Sequence, residues 1–245
     1  MGRRTLPSLL AVFFGAWLAG AGAASADLIT PFSATVGDQP PPPWHVSGLP
    51  RQSKPFTRFS IEDWAGVHAL RVEADRSYGN LVHSLTPTES VHHLAWRWTL
   101  DEPNPAADLR ERRLEDTPVR VCVLFDLPLE SIPFYDRTVL RLTRSHSSEP
   151  VPGASVCYVW DQKLEPGHAL HSPFTGRIRY LVLRGHDAPL HQWLPERRDV
   201  AADFKRLFGD ESETVPPIIG VAVGGDADNT QRHSLAHVGD VTLAP

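Results

Sequence analysis

Methionine occurs once and cysteine twice in the 245 residues. Lys and Arg form no basic block, and there is no Gly-x-Ser-x-Gly elbow and no Gly-rich phosphate loop. Each shortage removes a class of function. Nucleic-acid binding relies on neutralising phosphates, and a formal charge of −5 without a basic patch cannot supply that. The same lack argues against a polybasic membrane contact. The missing elbow and the apolar settings of both cysteines leave no activated nucleophile. The 12 His are scattered, and no spacing closes a zinc shell, including that of His233 and His237.

Long apolar runs are also scarce, and the one that exists is at the start. Arg3-Arg4 is followed by an almost wholly apolar stretch from Leu6 to Ala21 and then by the small residues Ala24-Ser25-Ala26. This is the pattern of a secretory signal, with cleavage expected after Ala26 or after Ala23. The run is short for a spanning helix, and no Cys follows it to accept a lipid. The expectation is an export signal over 1–26 and a periplasmic or secreted product with no membrane span after processing. Without Arg3 and Arg4 the formal charge is about −7.

What is abundant is punctuation, with 23 Pro and 17 Gly. They separate short alternating segments, which suits strands better than helices. Residues 27–43 form a Pro-rich leading segment whose run Pro40 to Pro43 favours polyproline geometry. A single domain is expected over 44–245. Strand patterns occur at 68–74, 78–84, 94–100, 119–125, 155–160, 177–183, 218–223 and 241–243. Leu94, Trp96, Trp98 and Leu100 share one face, with Arg97 and Thr99 on the other. Val200, Phe204 and Leu207 predict one helix over 198–208, with Asp199 as cap and Gly209 as stop. The charged stretches 101–116 and 145–153 read as solvated loops. The fold expected is all-β, an antiparallel β-sandwich of jelly-roll, galactose-binding-like type with one main helix.

The most chemically loaded segment is Asp226-Ala227-Asp228-Asn229-Thr230, reached from the apolar run 217–223 through Gly224-Gly225. Asp226, Asp228 and Thr230 alternate as early calcium ligands do, yet the sixth and twelfth positions are Gln231 and His237, so an EF-hand is excluded. A different calcium geometry, direct ligand binding and a self-capped turn all remain open. Asp116 and Arg120, four apart at a strand mouth, can pair in a site or in a structural salt bridge. Trp96 and Trp98 read as core. Trp160 and Trp193 sit at segment ends where aromatic platforms occur, and Tyr158 shares a face with Trp160. Cys122 and Cys157 lie in two strand patterns. They form a bridge if those strands are neighbours, and otherwise are two small buried side chains.

The order Trp96-Arg97-Trp98, Glu115-Asp116, Arg120-Val121-Cys122-Val123, Tyr158-Val159-Trp160, Arg198-Asp199-Val200, Phe208-Gly209 and Asp226 to Thr230 resembles the exported bacterial family named domain of unknown function 3047. The resemblance runs from about Phe32 to Leu243 and implies no activity or substrate. Cys122, Cys157 and Gly224-Gly225 stand where that family usually carries an aromatic, a polar and bulkier residues.

The leading functional expectation is a non-catalytic exported binder of a carbohydrate-type or other polar ligand, or of an envelope component. Its ligand-binding residues would be Asp116, Arg120, Tyr158, Trp160, Asp226, Asp228 and Asn229. A metal set of Asp226, Asp228 and Thr230 would take calcium. The alternatives are a glycan-active hydrolase or lyase using Asp116, Asp226 or Asp228 with Arg120, and a structural or assembly protein of the envelope.

Overall fold

A computed structural model describes residues 1–2, 28–49, 51–147 and 150–245. The expected export signal falls almost wholly outside the described residues. In chain order the elements are β1 (His45–Ser47), β2 (Arg58–Trp64), β3 (Val67–Asp75), β4 (Tyr78–Thr88), β5 (His93–Glu102), β6 (Arg120–Phe125), α1 (Phe134–His146), β7 (Ala154–Trp160), β8 (Ala169–Ser172), β9 (Thr175–Arg184), β10 (Leu194–Asp199), α2 (Val200–Phe208), β11 (Ile218–Asp226), β12 (His233–Val238) and β13 (Thr242–Ala244).

The first sheet runs β1-β4-β11-β6-β7-β9-β8 and the second β10-β5-β12-β3-β2, with β13 added on β5. The chain passes repeatedly from one sheet to the other, as in jelly rolls, and the result is a two-sheet β-sandwich. All pairings are antiparallel except β7 with β9, which is parallel. The inward faces bury Leu70, Val72, Trp98, Leu100, Val121, Val123 and Val223. No helix among the described residues is long and apolar enough to cross a membrane.

Three sequence expectations need correction. A second helix exists. α1 follows Pro133 and buries only Leu140, while Phe134, Tyr135, Val139 and Leu142 are exposed. Tyr135, Val139 and Leu142 are spaced i, i+4, i+7, the same helical signal as in α2, but the stripe they form faces solvent instead of the core. The stretch 101–116 is not a solvated loop. It folds over the outer face of the first sheet and buries Leu109 against Cys122, Cys157, Val159, Leu164 and Tyr180. Its charged tip, Arg110 to Arg113, stays outside, as do Glu102 and Pro105. Finally, residues 40–43 do not extend as polyproline. Trp44 N–H donates to Pro41 O at 3.0 Å and the Pro42–Pro43 bond is cis. This reversal seats Trp44 against Phe32, 4.8 Å between ring centroids, so Ile29 and Phe32 join the core ahead of the expected boundary at residue 44.

α2 lies where its apolar spacing puts it. Asp199 accepts from Ala202 N–H at 2.9 Å and caps the first turn. Phe204 is fully buried against Phe125 (4.7 Å) and Phe208 (5.3 Å). Cys122 and Cys157 face each other across β6 and β7 and are bonded.

Candidate cation site at the acidic end

β11 ends at Asp226, and the segment 226–230 is stitched to the segment 115–117 that leads into β6. Asp226 N–H donates to Thr117 O at 2.8 Å, and Thr117 N–H and Oγ1 donate back to Asp226 Oδ1 at 2.6 and 2.9 Å. Asp116 accepts from Asn229 N–H (3.1 Å), Thr230 N–H (2.8 Å) and Thr230 Oγ1 (2.6 Å). Asn229 Nδ2 donates to Glu115 O at 2.7 Å. Two loops distant in sequence thus place Asp116, Asp226 and Asp228 so that one carboxylate oxygen of each lies within 4.8 Å of the others.

The pairing expected between Asp116 and Arg120 is corrected here. Arg120 Nη1 reaches Asp226 Oδ1 at 2.8 Å and Thr117 Oγ1 at 2.7 Å, and its remaining N–H groups bracket Asn80 Oδ1 at 3.1 and 3.2 Å. This fork lies over Gly224. A Cβ there would meet Asn80 Oδ1 first and come within 2.9 Å of Arg120 Nε, and one on Gly225 would come within 2.7 Å of Pro118 O. The Gly-Gly pair is therefore a clearance for the guanidinium and for the neighbouring loop. Burial works against the Arg120 charge, but the Asp226 carboxylate together with Tyr78 and Tyr180 outweighs it and holds the guanidinium protonated.

Charge balance is incomplete. Lys54 pairs with Asp228 Oδ2 and Arg120 with Asp226, leaving three buried carboxylates against two cations. Burial, together with the nearby Asp226 charge, raises the Asp116 carboxyl above the usual range. Asp228 Oδ1 is buried with no hydrogen-bond partner, and so is Asn104 Oδ1. Asn104 Nδ2 donates to Thr230 Oγ1 at 2.8 Å, so this amide adjoins the cluster. The Thr230 hydroxyl is thereby spent between Asn104 and Asp116. The carboxylate that completes the group is Asp116, not the expected Thr230. An oxygen-only donor set of this kind suits a hard divalent cation.

Behind the cluster sits Glu115, whose Oε1 accepts from Tyr180 Oη at 2.6 Å and Ser172 Oγ at 2.7 Å. Burial first, and Asp226 second, push its carboxyl up to about 7. Beside the cluster a surface concavity of about 370 Å³ is lined by Pro103, Asn104, Pro105, Ala106, Arg232 and His233.

Tyr158 and Trp160 do not belong to the site. Every residue of β7 is buried, and both rings face the inside of the sandwich. Tyr158 packs on Trp96 (5.3 Å) and donates to Asp203 at 2.9 Å, and Trp160 packs on Trp98 (5.8 Å). Lys54, Asn104 and Tyr180 carry no local signal in the sequence. They reach the acidic end only through strand order.

No curated protein matches the sequence. Solved structures with a similar course include TmCBM61 in complex with β-1,4-galactotriose, at 11% identity over 82% of this chain and 88% of that one, TM-score 0.33. Others are endoglucanase cel12A from Rhodothermus marinus (10%, 82% and 95%, 0.43) and endoglucanase 3 of family GH12 from Trichoderma harzianum (9%, 84% and 99%, 0.40). At these values no ligand or chemistry passes from those proteins to this one. The family model described as protein of unknown function DUF3047 matches residues 42–242, and the chain belongs to that family.

Proposed function

We propose that the protein is an exported, non-catalytic binder of a polar, carbohydrate-type ligand, and that its acidic end takes a calcium ion beside the ligand. The observation that carries the cation is Asp228 Oδ1, a buried carboxylate oxygen with no partner in a group of three acids. An unpaired buried polar atom costs about 1–3 kcal/mol, more when charged, and a bound cation removes that cost. Calcium fits better than magnesium because the three carboxylates come from two separate loops and two of them are already held by backbone N–H groups, a set that suits irregular coordination. The concavity beside it offers the Arg232 guanidinium and an apolar proline rim to a hydroxyl-rich ligand.

The hydrolase alternative has less support at this cluster. A glycosidase pair needs two carboxyls roughly 5–9 Å apart, open to substrate and water. Here the three acids are buried, their nearest oxygens lie within 4.8 Å, and two of them are held by backbone N–H groups.

Thermal unfolding of the chelator-stripped protein, with and without calcium, tests the reading. Calcium should raise Tm by several degrees in the native protein and leave Asp228→Asn unmoved, because a ligand stabilises only through the site it occupies. An equal response of both proteins, or none in either, removes the cation from the function.

A further inference from the structure

Trp44, Trp96, Trp98 and Trp160 are buried, and among the described residues only Trp64 and Trp193 reach the surface. These two touch each other. Their ring centroids are 5.3 Å apart at an interplanar angle of 90°. Trp64 ends β2 and lies flat on the outer face of the second sheet, stacked on His237 of β12 at 5.3 Å and 27°. Trp193 stands upright beside it, backed by the Arg97 guanidinium 5.3 Å from its ring. The two indoles make a right-angled corner in which each ring is partly exposed.

A chain of polar groups runs under that corner. His237 is 1% exposed, although it points away from the sandwich core. Its Nδ1 lies 2.6 Å from Asp101 Oδ2 and its Nε2 lies 2.8 Å from Glu62 Oε1. Asp101 Oδ1 in turn lies 3.2 Å from Nδ1 of His191. The ends of the chain are exposed, Glu62 at 44% and His191 at 65% of their side chains, while the middle is buried. His191 also holds a left-handed backbone, φ 56°, which is strained for a residue with a Cβ. Buried ionisable groups and backbone strain are costs that an ordinary outer sheet face does not carry, and they concentrate where side chains are held for a ligand.

We propose that this outer face of the second sheet is a saccharide-binding face, in which a sugar ring sits in the Trp64–Trp193 corner and its hydroxyls bond to Glu62, His191 and Arg97. The chemistry matches on both counts. A pyranose presents a flat C–H face, which packs on an indole, and a rim of hydroxyls, each both donor and acceptor. Glu62 supplies acceptors, Arg97 supplies donors and the His191 imidazole supplies a ring nitrogen. Asp101 and His237 are positioning residues that fix the two exposed ends. The face is open rather than a closed cavity, so an oligosaccharide with further rings on either side can be accommodated.

The face lies apart from the acidic end. His237 is four residues along β12 from His233, which lines the concavity there, or about 13 Å at strand rise. The two sites can therefore be tested separately. Soluble oligosaccharides of glucose, galactose, mannose, xylose and N-acetylglucosamine are titrated into the full chain in chelator, read by calorimetry and tryptophan emission. At least one should bind with Kd below 1 mM (on the order of −4 kcal/mol) and change the emission. Trp193→Ala and Glu62→Gln should each weaken it at least tenfold. His237→Gln should weaken binding less than Glu62→Gln, with circular dichroism unchanged. No binding by any of the five classes overturns the proposal, as does binding that survives Trp193→Ala. Binding that appears only with calcium and is lost in Asp228→Asn also overturns it, and assigns the saccharide to the acidic end instead.

Discussion

Arg120 Nη1 and Asp226 Oδ1 meet at 2.8 Å with both side chains almost fully buried, and they tie the start of β6 to the end of β11. Thr117 and Asn80 take up the rest of the fork, so the guanidinium is satisfied on three sides. Breaking one half of such a pair leaves a buried charge without its counterion. Asp226→Asn should cost about 3–5 kcal/mol by urea denaturation, and Arg120→Lys should cost nearly as much because an ammonium cannot bracket Asn80. A loss below about 1 kcal/mol for Asp226→Asn would mean that solvent reaches the pair.

Gly224 lies under that fork. Gly224→Ala should destabilise the protein by about 1–3 kcal/mol, through the clash with Asn80 Oδ1 and Arg120 Nε, even though alanine suits a strand better than glycine. A neutral or stabilising result, measured by Tm, would show that the guanidinium can step aside.

Glu115 gives the acidic end a pH dependence. Its folded carboxyl titrates at about 7, above the ordinary 4.5, so the folded chain holds a proton that the unfolded chain has released. Its contribution is fully present below about pH 4.5 and is lost as the pH rises toward 7. The whole effect is on the order of 3 kcal/mol. Glu115→Gln, which keeps an acceptor for Tyr180 and Ser172, should flatten that part of the stability profile. If the native and variant curves stay parallel between pH 4.5 and 7, Glu115 is ionised in the folded state.

The bonded cysteines close a loop of 35 residues, from Cys122 to Cys157. On chain-entropy grounds their removal should cost about 4 kcal/mol. The Cys122→Ala, Cys157→Ala double variant should therefore unfold at clearly lower denaturant, as should the native protein in reductant. Free thiols in the denatured, alkylated native protein would show that the bridge does not form.

Tyr158 is the test of whether β7 belongs to the core or to a site. Tyr158→Phe removes a hydrogen bond to the Asp203 carboxylate, which Arg198 also holds at 2.6 and 2.9 Å. A stability loss of about 1.5–3 kcal/mol is expected, with no change in saccharide or calcium affinity. Altered affinity with unchanged stability would return Tyr158 to the binding residues.

Much of this protein was legible in the chain. Alternation over 94–100 put Trp96 and Trp98 on the inner face of β5, and the i, i+4, i+7 spacing with Asp199 as cap placed α2, because both signals are local and repeat with the period of the element. The acidic turn after β11 was legible for the same reason. Its side chains are neighbours in sequence as well as in space. Which groups meet was decided by the tertiary structure. Sequence spacing pairs Arg120 with Asp116, whereas the register of β6 on β11 sets Arg120 opposite Gly224, which brings Asp226 within reach and leaves Asp116 to the backbone of Asn229 and Thr230. Tyr158 and Trp160 read as a platform until two sheets closed over β7 and made them core. The corner of Trp64 and Trp193, the chain through His237 and the orphan oxygen of Asp228 have no sequence signature, since their members lie up to 175 residues apart. Local chemistry sets which elements form, and the strand order of the two sheets sets which side chains become neighbours.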